Sequence, residues 1–452
     1  MSYQYNNKTS GSVLRSLISL SIPTVIEHVM NTAMQYVDTA MVGRLGPEAT
    51  ASVSTTTSIN WLAASVPFAV STAALALIAR ANGAGDEEQT RRLAGQSFIL
   101  TIIVGIIMTG LCLGLSPFIP VWMGADPKIR PAATMYFAIA CSPFMFRCFS
   151  WILGGAIRAV KDTRTPMYIN LFANVLNVFL NAFLIYGLRM GVRGAAIATA
   201  LAYTASGILM FIAFRRNPKL RFGRRDLKWD GRKMKQLCRI AFPAMGTSAA
   251  STGGHVVFTG LVSGMGTFTF AAHALAVTAE ELFYIPGYGL RTATSALIGN
   301  ALGENNEEKL RATERLSIFI TVGVMVITGL TLYMSAYPLM KLFTIDDGVA
   351  RLGARMLRLV AFTEPFYGMM VVMEGIFYGK GRTGAVFAVE SCSMWGIRIV
   401  MTFCCVRIWH LDLFAVWCCM IADNIFKASM LFMVYLISRK KERAKPAASM
   451  AE

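Results

Sequence analysis

The chain has 452 residues, 55% of them hydrophobic and only 15% charged, with a formal net charge of +18. Soluble domains carry about 25% charged residues, so this composition excludes an ordinary water-soluble domain and predicts a polytopic membrane protein. A basic excess would suit a nucleic acid, but its placement along the chain assigns it to one side of a bilayer and excludes that partner.

The opening MSYQYNNKTSGSVLRSL is polar and lacks both a short apolar core and a small-residue cleavage site, so no cleaved signal peptide is expected. A spanning helix needs about 20 mostly apolar residues. Twelve such segments are predicted, near 17–42, 53–79, 95–117, 132–156, 167–187, 194–214, 240–262, 270–298, 316–340, 352–377, 385–408 and 414–437. Proline or charge interrupts the first, second, seventh, eighth and tenth and blurs their edges. With the N-terminus inside, 29 Lys and Arg residues fall on the inner side and 8 on the outer. That bias predicts a plasma (inner) membrane protein with both termini in the cytoplasm and basic loops within reach of anionic lipid. The nine cysteines are scattered, with no CxxC spacing and no neighbouring histidine, and are expected to pack as small hydrophobes with no metal site.

The longest and most charged connection, RRNPKLRFGRRDLKWDGRKMKQLCR, divides the chain into two sets of six segments. The expected organisation is an N-terminal lobe over 1–214, a basic linker over 215–239, a C-terminal lobe over 240–438 and a basic tail over 439–452. Shifting the sequence by 220 residues sets Pro23 on Pro243, Gly46 on Gly266 and ALIARANGAGDEEQTR (76–91) on ALIGNALGENNEEKLR (296–311). TRT at 163–165 meets GRT at 381–383 after a two-residue slip. The halves are an internal duplication. Each has an even number of crossings, so an axis along the membrane normal should relate them, a geometry suited to a transporter with a central cleft.

Along the first segment Glu27, Asn31, Met34 and Asp38 recur at i, i+4, i+7 and i+11, one face of a helix. The fifth segment repeats the spacing with Asn170, Asn174, Asn177 and Asn181, and the sixth places Thr199, Tyr203 and Ser206 on one face. Amides in a membrane helix must face protein or water, because hydrocarbon leaves them unpaired. Asp38 lies six residues before the outer Arg44, roughly 9 Å along a helix, and Asn181 and Thr199 reach a similar depth. Asp38, Asn177, Asn181 and Thr199 are therefore expected to converge on an oxygen-rich pocket around one carboxylate. Burial raises a carboxyl's pKa, whereas amide donors and a bound cation lower it. A group near that balance can alternate in charge as access alternates, so the pocket could hold a proton or Na⁺. Met34, Tyr36, Asn174 and Tyr203 complete the candidate substrate and coupling set. Interhelical hydrogen bonding is the competing reading for the asparagine stripe.

In the second half Glu280, Tyr284, Gly287 and Arg291 show the same stripe around Pro286, with Glu280 and Arg291 three turns apart and too distant to pair. Glu280, Arg291 and Glu364 are the C-lobe candidates for substrate or coupling, with seals between helices as the alternative. Asp423 and Lys427 form an i, i+4 pair read as structural. His28, His255 and His273 are read as packed or hydrogen-bonded. The abundant methionines and aromatics mostly pack, and a few lining the cleft would suit bulky, flat cations.

Several stretches resemble the multidrug and toxic compound extrusion (MATE) family, most closely its prokaryotic NorM/DinF-like members. They are Pro23 with DTAMVGRLG (38–46), GAIRAVKDTRTPMYINLFANVLNVFLNAFLIYG (155–187), GVRGAAIATALA (191–202), AAHALAV (271–277), IPGYGLRTATSALIGNALG (285–303) and WGIRI (395–399). The resemblance implies an all-α integral membrane fold, with twelve helices in two six-helix lobes around a V-shaped cleft. It also implies efflux of small, mostly cationic organic compounds by H⁺ or Na⁺ antiport. By the same resemblance Asp38 matches the first-helix acid of the family, and Asn177 and Thr199 match its neighbours, the set that would hold Na⁺. There are two departures. The family often has Asp where this chain has Asn181, which favours H⁺, and the seventh-helix Glu of NorM-like members is Ser251 here. The expectations are a monomer with no cofactor beyond its coupling ion. A lipid-linked oligosaccharide or lipid flippase of the same superfamily is the alternative. An enzyme is not expected: no loop exceeds about 25 residues, and no catalytic cluster, phosphate loop or Walker motif is present.

Overall fold

The computed structural model describes residues 2–444. Each predicted segment finds a helical pass. In order these are α1 (Ser2–Gly43), α2 (Pro47–Gly83), α3 (Glu87–Leu115), α4 (Arg130–Cys141 with Phe144–Ala159), α5 (Arg164–Gly187) and α6 (Val192–Arg216). The second six are α7 (Gly231–Ser263), α8 (Thr267–Gly303), α9 (Glu307–Phe343), α10 (Asp347–Ala361 with Glu364–Gly379), α11 (Thr383–Ile408) and α12 (Leu413–Ala444). Eight are continuous helices long and apolar enough to cross a membrane, while α4 and α10 are broken spans bent by 52° and 57°. α7 and α8 miss that criterion because the Gly/Ser/Thr run at 246–254 and the Glu280–Glu281 pair dilute them. Irregular backbone between α6 and α7 covers 217–230. Of the basic tail expected over 439–452, the first residues extend α12, and 445–452 lie outside the described residues.

The duplication is legible in the backbone. The bends of α4 and α10 fall at 142–143 and 362–363. Left-handed residues recur in pairs: Gly46 (φ 108°) with Gly266 (φ 101°), Gly85 (φ 71°) with Asn305 (φ 49°), and Lys161 (φ 69°) with Gly381 (φ 70°). Helix caps repeat as well. Asp86 accepts from the Gln89 N–H at 2.8 Å, and Asn306 accepts from the Lys309 N–H at 2.9 Å, so orphan amides at the starts of α3 and α9 are satisfied alike. α5 and α11 both end in π-helical turns, Ala182–Gly187 and Cys404–Ile408.

The lobes meet along α1 with α8 and along α2 with α7 and α8. Thr24 donates to the Gly289 carbonyl at 3.0 Å, and Tyr36 donates to the Thr278 carbonyl at 3.3 Å, so α1 and α8 run antiparallel in contact over three turns. At the end of the bundle where α1 begins and α12 ends, the contact is two-fold. A Cβ on Gly83 would lie 2.0 Å from the Asn300 carbonyl oxygen, and one on Gly303 would lie 1.9 Å from that of Arg80. The Asn82 amide closes the seam by donating to Asn300 at 2.6 Å. Only glycine allows two helix backbones this close.

The C-lobe buries four charges between α11 and α12. Arg398 and Lys427 reach Asp423 at 2.8 and 3.1 Å, and Lys427 reaches Glu390 at 3.0 Å. The set is neutral in sum, which allows it inside a membrane. The Asp423–Lys427 pair is the one expected from sequence, and Arg398 and Glu390 complete it.

Two outcomes are expected. Gly303→Ala should destabilise the closed seam by about 1–3 kcal/mol, read as a lower melting temperature in detergent. Gly110→Ala is the control, because nothing lies within 4 Å of the added methyl. Asp423→Ala should cost about 3–5 kcal/mol by stranding the buried Arg398 and leaving Lys427 with Glu390 alone, read as loss of the monodisperse peak in size-exclusion chromatography.

Candidate functional site

α1 and α5 pair through a polar ladder. The Asn170 amide donates to Glu27 at 2.6 Å, that of Asn174 to Asn31 at 2.6 Å, and that of Asn181 to Asp38 at 2.5 Å. All three rungs join residues 143 apart, so the helices run parallel and in register, and Met34 falls opposite Asn177. The i, i+4, i+7, i+11 spacing on both helices puts every rung on one seam.

The two carboxylates on this seam differ. Glu27 is neutralised by Arg158 at 2.6 Å, and its partner Asn170 accepts from Ser150 and Ser206 at 3.2 and 3.1 Å. Asp38 has no cation partner among the described residues. Asn181, 0% exposed, spends both amide hydrogens, one on Asp38 and one on Asn177 at 3.1 Å, leaving its carbonyl oxygen buried and without a partner. Asp38, Asn177 and Asn181 therefore come together. Thr199 joins indirectly: it neighbours Tyr136 of α4, which also lies near Asp38 and Tyr203.

Tyr203 faces a group the sequence reading did not single out. The Arg147 guanidinium lies 5.1 Å from its ring centroid, bonds Asn60, and is buried just past the bend of α4. The sequence signal was there, an arginine in the apolar run PFMFRCFSW, but no carboxylate at helical spacing marked it. Arg158, on the last helical turns of α4, likewise reaches into the ladder.

The C-lobe candidates separate. Arg291 pairs with Glu374 of α10 at 2.7 Å, not with Glu280. Glu280 accepts from the Tyr284 hydroxyl, and the Tyr284 ring stacks on Tyr367 at 3.8 Å. Tyr367 in turn donates to Tyr288 at 2.8 Å. Glu364 sits at the α10 bend beneath Gly329, 1% exposed, with neither carboxyl oxygen hydrogen-bonded and with Glu280 as its charged neighbour. Tyr36, two residues before Asp38, links this region to the ladder by its bond to the Thr278 carbonyl of α8. His273 packs edge-on against Phe258 and Trp417, and His28 lies beside Tyr288 at 6.0 Å.

Comparison with known proteins follows the duplication. A family profile described as MatE matches twice, over residues 23–183 and 243–404. A probable multidrug resistance protein NorM of Thermotoga maritima is 28% identical over 438 residues, covering 96% of this chain and 94% of that protein. A probable multidrug resistance protein YoeA of Bacillus subtilis is 23% identical, covering 91% and 90%. Among solved structures, a MOP superfamily transporter from Pyrococcus furiosus superposes with a TM-score of 0.90 at 22% identity, covering 96% of this chain and 97% of that one. The Vibrio cholerae MATE transporter VcmN does so with a TM-score of 0.90 at 19% identity, covering 96% and 98%. With both lobes matched and the two-lobe architecture shared, the chain belongs to the MatE family of multi-pass membrane proteins.

Proposed function

We propose that this chain is a secondary antiporter that exports amphiphilic, mostly cationic organic compounds in exchange for H⁺, with Asp38 as the coupling carboxylate of the N-lobe. The relatives named as multidrug resistance proteins cover nearly the whole chain and support the efflux class. The charge bias supports a plasma (inner) membrane orientation with both termini cytoplasmic.

The observation that carries the reading is the contrast between the two ladder carboxylates. Glu27 is held by Arg158, whereas Asp38 meets only neutral groups. A half-buried carboxylate at membrane depth without a cation is costly as a mere strut, and it gains by taking a proton or a cationic cargo. Asn181 suits both forms. Its N–H groups stabilise the carboxylate, and its free carbonyl oxygen can accept from the protonated acid once the amide turns. The set favours H⁺ over Na⁺, because beside Asp38 the ladder offers a neutral amide at Asn181 and no second carboxylate to hold a metal ion. Met34, Tyr36, Asn174, Asn177, Thr199 and Tyr203 form the surrounding wall. Glu280 and Glu364, with Tyr284 and Tyr367, form a second acid cluster in the C-lobe that can hold a proton, and Arg291 anchors α8 to α10. The flippase alternative has one supporting observation, the buried Arg147 without a carboxylate partner among the described residues. A single such cation beneath an aromatic ring is a sparse lining for an anionic cargo.

Asp38→Asn should leave a folded membrane protein that releases a fluorescent cationic dye no faster than empty vesicles. Wild-type export by that variant would remove Asp38 from the coupling step. In proteoliposomes an imposed pH gradient without Na⁺ should drive dye transport. A strict requirement for a Na⁺ gradient would overturn the choice of coupling ion.

A further inference from the structure

Residues 215–228 carry seven Lys and Arg side chains against one carboxylate, Asp226. At the same end of the bundle other cations are matched. Arg91 pairs with Glu87 at 3.3 Å, Arg92 with Glu88 at 2.6 Å, and Lys309 with Glu304 at 2.5 Å. None of the seven forms an ion pair among the described residues.

This segment is nonetheless fixed in place. Gln96 of α3 donates to the carbonyls of Asp226 and Lys228 at 3.2 and 2.8 Å and accepts from the Asp230 N–H at 3.1 Å. A Cβ on Gly95 would come within 2.5 Å of the Asp226 carbonyl oxygen, so the loop lies directly on α3. Arg215 donates to the Phe222 carbonyl at 2.7 Å and lies 4.5 Å over that ring. The loop and the end of α6 enclose an open cleft of about 560 Å³ lined by Phe211, Ile212, Arg215, Arg216 and Arg221. Ile208 and Ile212 are exposed one turn apart on α6, as expected of a flank that faces lipid. Trp229 at the loop's end is 62% exposed, the exposure of an interfacial anchor.

We propose that this cleft binds the phosphate headgroup of an anionic phospholipid, with its acyl chains along Phe211 and Ile212. Guanidinium forks match phosphate oxygens in bidentate geometry, and an apolar wall beside them selects a lipid over a free ion. Seven cations without an ion pair among the described residues, on a loop fixed to α3 at the membrane surface, are the complement of a negatively charged leaflet. The site is independent of which cargo or ion the chain carries.

Native mass spectrometry of the delipidated full chain tests this, with phosphatidylglycerol and phosphatidylcholine added at equal concentration. The wild type should retain phosphatidylglycerol preferentially. The double variant Arg216→Ala/Arg221→Ala should lose on the order of 30-fold in apparent affinity, whereas Arg92→Ala, a matched cation at the same end, should retain it. If the double variant does not fold, Arg216→Gln alone should lose about fivefold. Equal retention of the two lipids, or undiminished phosphatidylglycerol on the folded variant, overturns the site. Inorganic phosphate at the same concentration should not displace the lipid. Full displacement would identify a soluble phosphate as the ligand and overturn the lipid assignment.

Discussion

Hydrocarbon supplies no partner for a buried amide or carboxylate, and this chain satisfies that constraint mainly by pairing α1 with α5. Rungs 143 residues apart fix the two helices in parallel register. With α5 set, the π-helical turn at Ala182–Gly187 and the fold-back of α6 bring Thr199 and Tyr203 to the depth of Asp38. The C-lobe meets the same constraint differently, with a neutral quartet of charges between α11 and α12. The α1–α5 seam is therefore zipped mostly by amides and the α11–α12 seam by ions, although both lobes descend from one duplicated unit.

The duplication survives more completely in shape than in chemistry. Bends, left-handed residues and caps repeat at a spacing of 220, because a kink or a positive φ is needed wherever the chain must turn. The polar side chains repeat at the helix ends, as Glu87–Arg91 and Glu307–Arg311 do, and diverge within the bundle. Asn60 and Arg147, bonded to each other in the N-lobe, correspond by that spacing to Glu280 and Tyr367. The same two positions thus present a cation in one lobe and an acid in the other.

Most of the architecture was legible before any coordinates. Length of apolar run, charge bias and the 220-residue repeat gave twelve passes in two sets of six. The stripe on α1 and its copy on α5 gave the Asp38–Asn177–Asn181 cluster, since helical periodicity alone decides which side chains share a seam. Pairings between distant helices were not legible. Arg158 with Glu27 and Arg291 with Glu374 depend on which helices become neighbours, and no local pattern encodes that. The meeting of Glu364 and Glu280 likewise needs the bend of α10, which Pro365 hints at and only packing fixes.

α1 belongs to two seams at once, for Thr24 and Tyr36 hold it to α8 while its other face carries the ladder. Interhelical hydrogen bonds inside a bilayer average about 0.6 kcal/mol, close to thermal energy at room temperature. A helix tethered by such links can be released and recaptured many times without threatening the bundle. The ionic quartet between α11 and α12 offers no such latitude.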